Sequence, residues 1–87
     1  MPKRSGMDIS GAFGQVLREA RKANKLSQEQ LAELSGMHVN HISFIERAKT
    51  SPSLQAMQQI ALALNAPLSE LIFQAERKAE ADKTSSR

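Results

Sequence analysis

A helix start with two independent signals constrains the fold of this chain more than any other feature. Ser27 can cap a helix, and Gln30 three residues later completes a capping box. Leu26 and Leu31 occupy the two positions of a hydrophobic staple around the same start. Gly36 can then adopt the left-handed backbone that ends a helix without a steric penalty. The sequence therefore predicts a short helix that begins at Ser27 and ends at Gly36.

A second short helix is predicted directly after this glycine turn. It begins near His38 or Val39 and ends around Arg47, because Pro52 disfavours helix just before itself and the residues between form a loop. With about 3.6 residues per turn, one face of this helix carries apolar side chains for a core and the other faces outward. The core face holds Ile42 and Ile45, and the outward face holds Asn40, Ser43, Phe44 and Arg47.

Apolar residues at helical spacing predict three further helices. The first starts at Asp8 or Ser10. Ser53 caps a fourth helix, whose predicted buried stripe is Leu54, Met57, Ile60, Ala61 and Leu64. A fifth begins around Pro67 and carries an apolar side of Leu68, Leu71, Ile72, Ala75 and Ala79. We expect one all-α domain of five helices over residues 8–79, between a flexible basic N-terminal arm (1–7) and a flexible polar tail (80–87).

Length and composition exclude several classes of function. A chain of 87 residues forms one domain with no room for a deep enzyme cleft. It contains no cysteine, so disulfides and thiolate metal sites are impossible, and no apolar run is long enough for a membrane span. The net charge is +3, and residues 1–26 hold six basic and two acidic side chains. We expect a cytoplasmic protein, with its positive charge at the N-terminal end.

The two helices around Gly36 have the layout of a helix-turn-helix, in which the second helix enters the major groove of DNA. Residues 17–72 resemble the Cro/repressor (Xre-like) family of DNA-binding transcriptional regulators. The matching features are the Ser-Gln helix start followed by Leu-Ala, the Gly36 turn, Ile-Ser-Phe-Ile-Glu at 42–46, and the Pro-Ser-Leu entry to the fourth helix. The resemblance implies a compact lambda-repressor-like domain.

The resemblance also implies which residues of the third helix contact base edges: Val39, Asn40, Ser43 and Phe44. Asn40 can donate to and accept from an adenine edge. Phe44 departs from the family, which commonly has a polar or charged residue there. It can pack on thymine methyl groups, contact a partner protein, or pack against the N-terminal segment.

Further roles follow from the same resemblance. Arg21 and Glu46 correspond to a structural ion pair between the first and third helices. Gln28 corresponds to a glutamine that binds a DNA phosphate at a helix N-terminus. Apart from the resemblance, Arg47 is expected to contact a phosphate rather than a base because it lies at the far end of the third helix. The full set expected to contact phosphates is Gln28, His38, His41, Arg47, Lys49, Thr50 and Ser53. His38 and His41 have no evident third ligand, so no metal site is predicted. Pro2–Arg4 can enter a minor groove or serve as a solubilising start.

Two functions remain open from the sequence. The first is a transcriptional regulator that binds an inverted repeat in double-stranded DNA as a homodimer, with Leu71, Ile72, Ala75 and Ala79 at the dimer interface and Leu68 inside. The second is a protein-interaction module of the same fold, antitoxin-like or regulator-binding, that uses the Val39/Phe44 face. No catalytic site, cofactor or small-molecule ligand is predicted.

Overall fold

The computed structural model describes residues 8–85, which form five α-helices. The all-α fold expected from the sequence is confirmed. The third helix begins and ends within one residue of the predicted bounds. The helices are α1 (Ile9–Ala23), α2 (Gln28–Ser35), α3 (Val39–Glu46), α4 (Leu54–Ala63) and α5 (Leu68–Ser85). The predicted arm (1–7), including Pro2–Arg4, lies outside the described residues.

Side-chain caps fix the beginnings of three helices. Asp8, Ser27 and Ser53 accept hydrogen bonds from backbone N–H groups in the first turns of α1, α2 and α4. The capping box of α2 is complete, because Gln30 N donates to Ser27 Oγ at 3.0 Å and Ser27 N donates to Gln30 Oε1 at 2.8 Å. His38 stands at the N-cap of α3 without a side-chain cap. The first-turn N–H groups of α3 are therefore not capped by that side chain.

Each of the four connections between helices has a left-handed residue at its first or second position. These residues are Lys25, Gly36, Ala48 and Asn65, with φ of 58°, 72°, 59° and 56°. In each case the N–H of the next residue donates back to a carbonyl in the last turn, as Lys49 N does to Phe44 O at 2.8 Å. This arrangement is the Schellman motif, which reverses the chain within a few residues. The motif therefore allows four tight connections, although only one of the four left-handed residues is glycine.

The core lies where α1 packs against α3 and α5, while α2 packs against α3 and α4. Its largest fully buried side chains are Phe13, Val16, Leu17, Leu31, Ile42, Ile45, Ile60 and Leu71. Leu54 was expected in the buried stripe of α4 but is 70% exposed, and Ala56 is buried instead. Leu54 is the first residue of its helix, where its side chain points away from the domain and into solvent. The predicted stripe is wrong at this position.

The fifth helix differs from the sequence prediction in its packing and its length. Leu71 and Ala75 are buried in the core, so their assignment to a dimer surface is wrong. The reason is that α1 covers this side of α5. Ile72, Ala79 and Leu68 are half-buried against the same core. The helix also continues to Ser85 instead of ending at 79, because residues 80–85 include no glycine or proline that would end it.

A close approach between α1 and α3 occurs at Gly14. A Cβ atom added there would collide with the carbonyl oxygen of Ile45 and lie 3.1 Å from that of Glu46. Both contacts are with backbone, which cannot move aside as a flexible side chain would. Gly14 therefore lets the C-terminal end of α3 lie directly on α1.

We predict that Gly14→Ala lowers the free energy of unfolding by about 1–3 kcal/mol, because the added methyl forces two backbones apart. Alanine has a higher helix propensity than glycine, so helix propensity alone would raise the free energy of unfolding. Urea denaturation followed by circular dichroism measures the change. The exposed neighbour Gln15→Ala serves as the control and should change stability by less than about 0.5 kcal/mol. Equal or greater stability of Gly14→Ala would contradict the close approach.

Candidate nucleic-acid interface

The third helix has one buried face and one outward face. Ile42 and Ile45 are fully buried, whereas Asn40 and Arg47 are exposed and Phe44 is 44% exposed. Val39 and Ser43 are half-buried, and Val39 packs partly against the core. The outward face predicted from helical periodicity is thus exposed in the structure, with Val39 at its edge. It combines an amide, a hydroxyl, a cation and an aromatic ring.

Arg47 contacts two other side chains on this face. Arg47 Nε donates a hydrogen bond to Ser43 Oγ at 3.2 Å. The guanidinium carbon of Arg47 lies 5.5 Å from the centroid of the Phe44 ring, within the range of a cation–π interaction. The guanidinium group therefore covers part of a phenylalanine that is otherwise exposed.

A buried ion pair holds the C-terminal end of α3 against α1. Arg21 Nε lies 2.6 Å from Glu46 Oε2, and Arg21 Nη2 donates to Glu46 Oε1 at 3.1 Å. The third nitrogen, Nη1, donates to the backbone oxygen of Leu26 at 2.8 Å. The two side chains are only 10% and 2% exposed. The pair expected from the family resemblance is present, and its two-pronged geometry fixes orientation as well as distance.

Gln28 also binds this ion pair, which sequence reasoning missed. Its Nε2 donates to Glu46 Oε1 at 3.0 Å, and its side chain is half-buried. The amide nitrogen has two hydrogens, so one N–H remains for a phosphate while the other holds Glu46. A glutamine at a helix start does not reveal in the sequence which carboxylate it will meet. Gln28 therefore links α2 to α3 in addition to its expected contact with DNA.

The other residues expected to contact phosphates lie at the two ends of α3 and in the loop after it. His38 and Lys49 are exposed, and His41 and Thr50 are half-buried. The exposed Ser53 caps α4, where its Oγ accepts from Ala56 N at 3.0 Å, so its own hydroxyl hydrogen is still available to donate.

The loop after α3 is also tied to the beginning of α1. Ser51 Oγ lies 2.8 Å from Ser10 Oγ, at hydrogen-bonding distance. This contact joins the loop after α3 to α1. The two hydroxyls thus help to place Lys49 and Thr50 relative to α3.

Over residues 8–85, no cluster of three or more His, Cys, Asp or Glu side chains could hold a metal ion. Within the same residues, no helix is both long and apolar enough to cross a membrane.

The exposed face of α5 is a second surface with an aromatic residue. Phe73 is 52% exposed, and the Arg77 guanidinium carbon lies 5.7 Å from its ring centroid. At the edge of this face Lys78 Nζ forms an ion pair with Glu19 Oε2 of α1 at 3.1 Å. Phe73 is thus a large apolar residue that α5 leaves exposed, on the side opposite the buried stripe.

Comparison with known proteins matches residues 17–71 to a helix-turn-helix family model. The control protein C.SmaI of Serratia marcescens is 39% identical over 66 residues, which are 76% of this chain and 79% of that protein. The transcriptional regulator PuuR of Escherichia coli is 38% identical over 69 residues, but the chain covers only 37% of its length. The crystal structure of the restriction-modification controller protein C.AhdI from Aeromonas hydrophila aligns with a TM-score of 0.69 and 43% identity, over 70% of this chain and 92% of that one.

We predict that Glu46→Gln destabilises the domain by about 3–5 kcal/mol, because it leaves the buried Arg21 charge without its partner. Thermal and urea unfolding measure the loss. The matched control is Glu19→Gln, which removes the partly exposed pair with Lys78 and should cost less than about 1 kcal/mol. Similar losses from the two substitutions would show that the Arg21–Glu46 pair does not fix the fold.

Proposed function

The chain belongs to the Cro/repressor (Xre-like) helix-turn-helix family, and we propose that it regulates transcription in the cytoplasm by binding double-stranded DNA. The observation that best supports this proposal is the outward face of α3, where Asn40, Ser43 and Phe44 stand exposed or partly exposed. In this proposal α3 lies in the major groove, where each base pair presents a distinct set of donors, acceptors and methyl groups. The C-terminal end of α3 is fixed by the contact of Ile45 and Glu46 with Gly14 and by the Arg21–Glu46 ion pair, which supports its use as a rigid reader.

Base recognition in this proposal combines hydrogen bonds with apolar contacts. Asn40 stands in the first turn of α3 and can bind an adenine through its N6 and N7 edge. Ser43 supplies a hydroxyl to a base or phosphate, and the half-buried Val39 offers methyl groups at the edge of the face. Phe44 contacts thymine methyl groups. Such a surface reads both polar edges and methyl positions.

Phosphate contacts on either side of α3 position the reader without reading sequence. We assign them to His38, His41, Lys49, Thr50 and Ser53. The N-terminus of α2 contributes its unpaired N–H groups and positive dipole end, together with the free N–H of Gln28. These groups lie at the start of α2, at the N-terminal half of α3 and in the segment between α3 and α4, so they can contact the DNA backbone on both sides of one groove.

One α3 reads few base pairs, so we propose that the protein binds as a two-fold dimer on an inverted repeat with half-sites about 34 Å apart. Because Leu71 and Ala75 are buried, we place the interface on the opposite side of α5, at Phe73. Glu70 and Arg77 are exposed on the same side as Phe73, one turn away in either direction. Antiparallel pairing of two α5 helices then brings Arg77 near Glu70 of the partner subunit, and the symmetric contact repeats this pair.

A protein-interaction module is the second candidate function, and the exposure of Phe44 favours it. A large aromatic side chain beside Arg47 is a common centre for protein contacts. The two functions differ in their response to salt. Binding that depends on phosphate contacts weakens steeply as salt rises, whereas a contact centred on a phenylalanine does not.

We predict that selection from random duplexes yields an inverted repeat, and that binding to it is strongly salt-dependent. With about 6–10 phosphate contacts, affinity should fall by roughly 10³–10⁵ between 50 and 200 mM salt. Asn40→Ala should reduce discrimination at one position of each half-site by about 1–3 kcal/mol. Fluorescence anisotropy with the selected duplex and single-base variants measures both effects.

Gln15→Ala, an exposed change on α1, is the control and should leave affinity and preference unchanged. Weak binding with no enriched site, or equal loss of affinity for every sequence in Asn40→Ala, would contradict sequence recognition by α3. Salt-independent capture of a protein by the Phe44 face would support the second function instead.

We also predict that Phe73→Asp converts the dimer to a monomer, because it buries a charge at the centre of the α5 contact. Sedimentation velocity without DNA measures the change. The control Leu34→Asp introduces the same charge at an apolar residue of α2 that is 60% exposed, and should leave the dimer intact. A wild-type monomer, or a dimer that survives Phe73→Asp, would rule out this interface.

A further inference from the structure

We propose that Phe44 and Arg47 act as one reading unit that recognises a thymine and a guanine on neighbouring base pairs. This inference rests on the proposed binding of DNA by α3. It assigns Arg47 to a base, whereas the position of Arg47 at the end of the helix had suggested a phosphate contact. Ser43 is the positioning residue of the unit.

The geometry of Arg47 carries this proposal. Its Nε donates to Ser43 Oγ at 3.2 Å, which directs the side chain back along α3 by one turn. Its guanidinium group lies over the Phe44 ring, so the same group has two contacts on the outward face. The end of the guanidinium, with its two Nη groups, remains available. That fork matches the O6 and N7 acceptors of guanine, and arginine to guanine is the commonest specific contact in the major groove.

A phosphate contact would require the Arg47 side chain to extend away from Ser43 and Phe44. Phosphate contacts suit side chains that extend away from the groove, toward the backbone at the edges of the helix. Lys49 is exposed in the loop after α3 and can supply the positive charge for such a phosphate contact. Arg47 instead points toward the side chains that the proposal places against base edges. Because its contacts with Ser43 and Phe44 already restrict the Arg47 side chain, that side chain loses less conformational entropy when it binds DNA.

Phe44 adds the second half of the recognition. A partly exposed ring in a major groove has one common apolar partner, the C5-methyl group of thymine. The guanidinium carbon is 5.5 Å from the ring centroid, and base pairs stack about 3.4 Å apart. Groups this close reach bases on neighbouring pairs. The unit therefore recognises the thymine by its methyl group and the neighbouring guanine by its O6 and N7 acceptors.

The test uses the selected operator with single-atom changes in the bases. Replacing the thymine by uracil removes only the methyl group, and replacing the guanine by 7-deazaguanine removes only N7. Wild type should lose affinity several-fold with each change, and Phe44→Ala should become indifferent to uracil. Wild type should prefer G·C over A·T at the guanine position by roughly 5- to 150-fold.

The variants Arg47→Lys and Ser43→Ala separate a base contact from a phosphate contact. Lysine keeps the charge but not the planar fork, so Arg47→Lys should reduce the guanine preference to a few-fold while salt dependence persists. Ser43→Ala should lower the same preference by a smaller factor. Site selection repeated with Arg47→Ala should no longer enrich the guanine.

Two results would overturn the inference while leaving DNA binding intact. One is an enriched half-site without a guanine next to a thymine. The other is an Arg47→Ala protein that binds every sequence more weakly by one common factor, with its guanine preference unchanged, which is the behaviour of a phosphate contact. Absence of any enriched site would instead refute the proposed function itself.

Discussion

The carboxylate of Glu46 is the point at which three helices of this domain meet. It accepts hydrogen bonds from Arg21 of α1 and from Gln28 of α2, and it belongs to the last residue of α3. Its side chain is 2% exposed, so neither charge of the pair can be satisfied by water if the other is lost. Gly14 supports the same junction, because it lets the end of α3 rest on the α1 backbone. The orientation of the outward face depends on these contacts.

Much of the fold could be predicted because its signals are local. The capping box at Ser27 and Gln30 and the left-handed Gly36 depend on residues within a few positions of each other, and all three are found as the sequence predicts. Lys25 and Ala48 are different. They adopt the left-handed conformation without being glycine, held by backbone hydrogen bonds that close the turn. Residue type alone does not predict such positions.

The failures share one cause, which is that helical spacing does not say what a face packs against. Leu54 continues the apolar stripe of α4 but lies at its first position and faces solvent. The apolar side of α5 predicts a dimer surface at Leu71 and Ala75, but α1 covers them, and Phe73 on the other side is exposed. The bond from Gln28 to Glu46 and the close approach at Gly14 also depend on tertiary contacts. No local pattern in the sequence predicts these contacts, because each depends on how the helices pack together.

We propose that α3, held against α1 at Glu46 and Gly14, presents its outward face to DNA. The most direct measurement is a titration of the ¹⁵N-labelled protein with a duplex that carries one selected half-site, followed by NMR chemical shifts of the backbone amides. We predict that the largest shifts fall on Val39 to Arg47 and at the start of α2, with little change on the exposed side of α5. Shifts concentrated on α5, or scattered evenly over the domain, would contradict the account.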